Sequence, residues 1–184
     1  ADVIVVGGGP AGLSAGLFTA KNDLDTVAFD ADETWVHKAH LFNYLGIRSI
    51  DGSVFLERAR HQAVDDHGVD LREDTEVESV ESTGDGFTVT ADGEDHSAPY
   101  LVLATGADRD LAEELGCAFD GDVVDVDVDM ETSVEDAYAT GAMVRDQEWQ
   151  AIISAGDGAA AALNVLSKEK GEHFHDFDTP ADAE

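Results

Sequence analysis

An α/β fold, a central parallel sheet with helices on its faces plus a small antiparallel meander, is predicted by three observations. Val3-Ile4-Val5-Val6 is a short apolar strand that runs into Gly7-Gly8-Gly9 and then a helix opening on Pro10. Two later segments, Tyr100-Leu101-Val102-Leu103-Ala104-Thr105-Gly106 and Ala137-Tyr138-Ala139-Thr140-Gly141-Ala142, again read as strands that end in small-residue glycine turns. Ahead of both lie three short strands, Thr75 to Glu81, Gly86 to Thr90 and Glu94 to Ala98, separated by the turn signals Gly84-Asp85-Gly86 and Ala91-Asp92-Gly93.

The first glycine turn has the shape of a pyrophosphate cradle. Gly7 permits the tight turn, Gly9 leaves the backbone open to a phosphate, and Gly12 lets the helix pack closely on the strand. The helix start offers unpaired N–H groups, and Pro10 and Ala11 stand there without loss because a first-turn N–H has no helical partner. After the helix, about Pro10 to Ala20, a second apolar strand Thr26-Val27-Ala28-Phe29 ends in Asp30. That acid falls 23 residues after Gly7, at the spacing expected of a carboxylate that binds an adenosine ribose. The run Asp30-Ala31-Asp32-Glu33 has no nearby Arg or Lys to take a ribose 2′-phosphate, which argues against NADPH at this site.

The stretch from Thr34 to Gly46 mixes aromatic and polar residues without a period and is expected to form a structured loop. Ser53 to Asp66 repeats apolar residues at helical spacing, with Ser53 as N-cap and Gly68 as terminator. A strand is expected over Asp122 to Val128, a short helix at Asp110 to Leu115, and a long Ala-rich helix from Glu148 to Lys168. Residues 1–171 then make one domain and 172–184 an acidic, flexible tail.

Composition bounds the function. Forty-one acidic against 10 basic residues give a net charge of −31, spread among periodic apolar segments and so read as a solvated acidic surface. Such a balance fits a cytoplasm of molar salt, where screening over about 3 Å quiets self-repulsion. The lack of clustered Lys and Arg argues against nucleic acid and anionic membranes, and no stretch reaches the roughly 20 apolar residues that span a bilayer. With no signal peptide before the first strand, a cytoplasmic location is expected. Cys117 is the sole cysteine, which leaves no disulfide, no C-x-x-C pair and no cysteine metal site; it reads as a small core hydrophobe. His37, His40, His173 and His175 form no distinctive ligand set, so no metal is expected.

Five segments occur in one order: Gly7-Gly8-Gly9-Pro10-Ala11-Gly12, the acid Asp30, Asn43-Tyr44-Leu45-Gly46, Ala104-Thr105-Gly106, and Thr132-Ser133-Val134 through Gly141 followed by Gln150-Ala151-Ile152. In them, nearly the whole chain resembles the FAD domain of thioredoxin-reductase-like flavoproteins, of the pyridine nucleotide-disulfide oxidoreductase superfamily. The resemblance implies a single Rossmann-like FAD-binding domain. It places Ala104-Thr105-Gly106 against the first glycine loop, Asp30 and Ala31 at the ribose, Val77 at the adenine, Asn43 beside the flavin, and the helix start Gln150-Ala151 at the pyrimidine end of the ring. His40, or His37, is expected to contact the cofactor from the same loop as Asn43. Trp149 stands where the family has a basic residue, and either covers the flavin or packs in a subunit interface.

Three departures limit what the resemblance implies. The family inserts an NADPH domain of about a hundred residues after its Ala-Thr-Gly turn, whereas only residues 107–121 stand here. The dithiol of that domain is absent too. At Gly141-Ala142 the family has Gly-Asp, whose carboxylate bonds the ribityl and phosphate region; losing that bond costs about 0.5–1.5 kcal/mol. These residues imply a single-domain flavoprotein that exchanges electrons with an external donor or acceptor, a redox protein or a small molecule, and that alone does not reduce thioredoxin with NADPH. The competing readings are a non-catalytic FAD- or nucleotide-binding regulatory module and an NAD-binding dehydrogenase fragment, the last leaving Ala104-Thr105-Gly106 and the Gln150 helix unexplained. No catalytic residue is identified, and a homodimer is expected from the family.

Overall fold

The computed structural model describes residues 1–179. In chain order the elements are β1 (Val3–Val6), α1 (Pro10–Lys21), β2 (Thr26–Asp30), β3 (His40–Leu41), β4 (Ile50–Asp51), α2 (Gly52–His61), β5 (Asp70–Glu73), β6 (Val77–Thr83), β7 (Gly86–Ala91), β8 (Glu94–Ala98), β9 (Tyr100–Leu103), α3 (Asp110–Leu115), β10 (Phe119–Asp120), β11 (Val123–Val124), β12 (Ala137–Ala139) and α4 (Ala151–Lys170). Five strands form one parallel sheet in the order β12-β9-β1-β2-β5. The antiparallel meander β6-β7-β8 is separate.

Strand alternation divides the core into two layers, because successive side chains leave opposite faces of the sheet. Ile4, Val6, Leu101 and Leu103 meet Val80, Phe87 and Val89 of the meander on one face. Val3, Val5 and Val102 meet Leu13 and Ala15 of α1, Leu56 of α2, and Ala161 and Val165 of α4 on the other. Because both faces are covered, the central strands are continuously apolar rather than alternating. The helices α1 and α4 approach until backbones touch: a Cβ on Gly158 would lie 2.0 Å from the Ala11 carbonyl oxygen.

The α/β architecture and the meander stand as expected. Both meander turns are tight, the second with Asp92 at φ 50° and Gly93 at 75°, so both centres lie in the left-handed region. Local boundaries differ in several places, and β6 runs over Val77–Thr83 rather than from Thr75 to Glu81. Asp51, not Ser53, caps α2, its carboxylate accepting from Ser53 N at 3.0 Å, and the helix widens into a π-turn at Gln62–Asp66 before Gly68. The long C-terminal helix starts at Ala151, with Gln150 as its N-cap, and not at Glu148. The strand expected over Asp122 to Val128 shrinks to Val123–Val124, paired only with Phe119–Asp120. The sheet-edge strand β5 was not expected at all: Asp-Leu-Arg-Glu alternates weakly, and it forms because β2 presents an open edge to it.

Residues 107–121 hold α3 and β10, and β11 follows at once. Arg109 fixes this connection, its Nε donating to Met143 O at 2.9 Å and its Nη2 to Ala142 O at 3.2 Å. Cys117 is buried, and burial pushes its thiol pKa up, as suits an inert packing group. Of the tail 172–184, residues 172–179 are described and 180–184 lie outside the described residues. Asp176 in this part accepts from Lys21 Nζ at 2.8 Å, which brings the chain back to the end of α1.

Candidate cofactor site

The carboxyl ends of four parallel strands converge, and Gly7, Asp30, Ala104 and Gly141 of the sequence-predicted residues sit at those ends. Gly7 follows β1 with φ at 117°, and a Cβ there would lie 2.2 Å from the Ala104 carbonyl oxygen that follows β9. The Ala104 turn therefore closes on the first glycine loop, with Ala104 N donating to Val6 O at 2.8 Å. Gly12 has its missing Cβ 1.8 Å from Gly7 O, which seats α1 on the turn. Gly9 caps α1, Pro10 follows it, and no side chain bonds the helix start, so the N–H groups of that turn remain for a ligand. Gly141, after β12, has φ at 72°, and a Cβ there would lie 3.3 Å from Ala11 Cβ; Ala142 beside it is half-buried with its carbonyl on Arg109.

Thr105 donates its hydroxyl to Asp108 O at 2.7 Å, and Gly106 takes φ at 71°. Val77 opens the meander, partly buried against the apolar layer there. His40 bonds Ser49 at 2.9 Å through Nε2 and lies 4.5 Å, centroid to centroid, from the Phe42 ring. His37 turns instead to Asp32 and Ser53.

Asn43 and Gln150, 107 positions apart, meet directly, with Asn43 Nδ2 donating to Gln150 Oε1 at 2.6 Å. Gln150 caps α4 by its backbone alone, with no side-chain hydrogen bond to the helix start among the described residues. Beside this pair both tryptophans of the chain meet edge to face, Trp35 and Trp149, at 5.2 Å between ring centroids. Trp149 Nε1 donates to Arg145 O, which fixes the ring over the chain entering α4.

Asp30, the last residue of β2, is 3% exposed, while Ala31 is open to solvent. Its Oδ1 accepts from Asp32 N at 3.0 Å, and its Oδ2 accepts from Arg60 Nη2 at 2.7 Å. The expectation that no Arg or Lys stands near this acidic run is corrected: α2 carries Arg60 onto Asp30, 30 positions away, and onto Asp32 and Glu73. Arg60, and His37 after it, hold the Asp32 carboxyl below its ordinary pKa. The stabilisation by that pair is complete above the ordinary carboxylate pKa and is lost as pH falls through the lowered one. Local sequence carried no sign of Arg60, nor of the role of Gly8, whose missing Cβ would lie 2.1 Å from the Asp30 carboxylate.

A glycine cradle, an uncapped helix start, a strand-end acid and a second uncapped helix start define a dinucleotide-binding domain of the α/β class. Residues 2–41 match the family described as FAD binding domain, and residues 53–159, more than half of the chain, match that described as pyridine nucleotide-disulphide oxidoreductase. The chain belongs to the pyridine nucleotide-disulphide oxidoreductase family and binds FAD. It is 29% identical to the thioredoxin reductase of Mycolicibacterium smegmatis over 171 residues, which cover 91% of this chain and 51% of that protein. It is 35% identical to that of Streptomyces clavuligerus over 112 residues, 58% of this chain and 34% of the other. The chain thus spans about half, or less, of the length of these relatives. Among solved structures, a thioredoxin reductase from Gloeobacter violaceus superposes with TM-score 0.86 at 19% identity, covering 97% of this chain and 98% of the other. A ferredoxin-flavin thioredoxin reductase from Clostridium acetobutylicum gives 0.80 at 16%, with 93% and 98% covered.

Proposed function

We propose that this domain is an FAD-dependent oxidoreductase that exchanges electrons with an external partner, a redox protein or a small molecule, and that it does not by itself reduce thioredoxin with NADPH. One observation carries the reading. Between β9 and β12 the chain makes only α3, the ribbon β10-β11 and loop, and Arg109 ties that connection to the carbonyls of Ala142 and Met143. Fifteen residues, 107–121, cannot enclose a second nucleotide-binding core.

The residues present fit FAD. The cradle of Gly7, Gly9 and Gly12, with Pro10 and Ala11, would hold the pyrophosphate on the start of α1; Asp30 and Ala31 would meet the adenosine ribose and Val77 the adenine. Ala104-Thr105-Gly106, Gly141 and Ala142 would line the middle of the cofactor, with Ala142 supplying no side-chain acceptor. Asn43, His40, Gln150 and Ala151 would stand at the ring. Bound FAD supplies a ring that takes up and releases electrons. The start of α4 stabilises negative charge placed against it by its dipole and free N–H groups, and Asn43 orients Gln150 there.

Anaerobic mixing tests the reading. The FAD-loaded protein should keep its visible flavin absorption with NADPH or NADH and lose it with a reduced redox protein such as ferredoxin. Bleaching by NADPH alone would overturn the proposal, and bleaching by no donor would favour the regulatory-module reading, to which Ala142 lends support.

We also place the protein, as a homodimer, in a salt-rich cytoplasm. A net charge of −31 against 10 cations leaves the fold under self-repulsion in dilute buffer. The melting temperature should rise from low to molar KCl; a flat or falling curve sinks this assignment. No helix among the described residues is long and apolar enough to cross a membrane.

A further inference from the structure

Arg60 lies outside every motif of the cradle, yet it is the one cation at the end of β2 among the described residues. Its guanidinium reaches Asp30 Oδ2 at 2.7 Å, Asp32 directly, and Glu73 Oε1 at 3.2 Å. The groups facing this cluster are completed by His37, whose Nε2 is 2.8 Å from Asp32 Oδ1 and whose Nδ1 is 2.9 Å from Ser53 Oγ. Meanwhile Gly8 lies so close to Asp30 that any Cβ would strike its carboxylate. A chain of contact therefore runs from α2 through Arg60 and Asp30 to the glycine loop.

We propose that Arg60 is a positioning residue of the adenosine-ribose site, holding the Asp30 carboxylate in one orientation so that it accepts from the ribose hydroxyls. The proposal rests on the FAD assignment above. Each oxygen of Asp30 spends one lone pair internally, Oδ1 on Asp32 N and Oδ2 on Arg60. One acceptor position on each oxygen is left for hydroxyl groups. Asp30 is 3% exposed and shares its surroundings with two further acids. Without the guanidinium, Oδ2 loses its charge-assisted donor, and repulsion from the two neighbouring acids turns the carboxylate away from the ribose.

Arg60 is also oriented by the acids at a cost to itself: its Nε is buried without a partner among the described residues. Three acids on one cation leave the cluster net negative, which suits neutral hydroxyls and opposes a 2′-phosphate.

Titration calorimetry in molar KCl, with ADP and 2′,3′-dideoxy-ADP on the apo protein, tests the proposal by pairing each variant with the loss of the ligand hydroxyls. Arg60→Met should weaken ADP by about tenfold, as befits a charge-assisted hydrogen bond, and dideoxy-ADP by less than about twofold. Arg60→Lys, which keeps the charge but not the fork, should restore part of the ADP affinity and serves alone if the Met variant does not fold. Equal losses for both ligands would mean that Arg60 merely supports the fold, and undiminished ADP affinity would mean that it competes with ribose; either overturns the proposal. Wild-type protein that takes up neither FAD nor ADP would overturn the FAD assignment as well, whereas FAD uptake with equal ligand losses overturns the role of Arg60 alone.

Discussion

Gly12→Ala should abolish FAD retention and lower stability by about 3 kcal/mol, a fall of roughly 6–12 °C in melting temperature for a chain of this size. The new Cβ would lie 1.8 Å from Gly7 O and 2.9 Å from Gly7 C, both backbone atoms that no rotamer change can move aside. Either the turn opens or α1 lifts from β1. Lifting α1 also breaks its seat on α4, where Gly158 already presses on Ala11 O. Thermal unfolding of the apo protein, with flavin content measured after desalting, reads both effects. Gly156→Ala is the contrast: α4 exposes this glycine and nothing lies within 4 Å of a Cβ, so helix propensity should raise stability by about 0.5–1 kcal/mol. Wild-type melting and flavin content in Gly12→Ala would show that the turn is not the rigid cradle described.

Arg145→Met should cost about 2–3 kcal/mol, through the partner that it leaves behind. Asp157, on α4, has a side chain 8% exposed, and Arg145 forks onto it with Nη2 at 2.5 Å from Oδ1 and Nε at 3.2 Å from Oδ2. Removing one member of a buried pair strands the other charge, a loss of about 3–5 kcal/mol at full burial. The figure here is lower because the Arg145 side chain is 35% exposed. The double variant Arg145→Met, Asp157→Asn should recover much of the loss, since no buried charge remains. Thermal melts of the two single variants and the double measure the coupling directly. A double variant as unstable as Arg145→Met would show that Arg145 acts by packing rather than charge. The same pair anchors the chain that enters α4, whose Trp149 ring bonds Arg145 O, so flavin affinity should follow stability in this series.

The elements legible in the sequence were those with a strong local cause. Val3–Val6 and Tyr100–Leu103 are unbroken apolar runs, and only a strand covered on both faces accepts them without exposing side chains. Gly7, Gly93 and Gly106 mark turns because their backbones adopt positive φ, where other residues are strained. Asp70–Glu73 escaped notice because a weakly alternating, largely polar strand has no local cause; the open edge of β2 makes it. Asp122 to Val128 misled for the opposite reason, since apolar residues with strand propensity found a partner only at Val123–Val124. Asp51 displaced Ser53 as the cap of α2 because the β3-β4 ladder brings the chain in two residues earlier.

By itself, then, the sequence determined the α/β class, the glycine cradle, the strand-end acid Asp30 and the shortness of the connection after Gly106, each set by a periodicity, a backbone requirement or a length. The tertiary structure alone decided what those groups face. Asn43 found Gln150 across 107 positions, Trp35 found Trp149, and Arg60 came to rest on the acid thought to stand without a cation. The physical reason is common to all three. Helix and turn signals act over a few residues along the chain, whereas a hydrogen bond, a ring contact or an ion pair depends on proximity in space, which only the packing of α2 and α4 against the sheet creates.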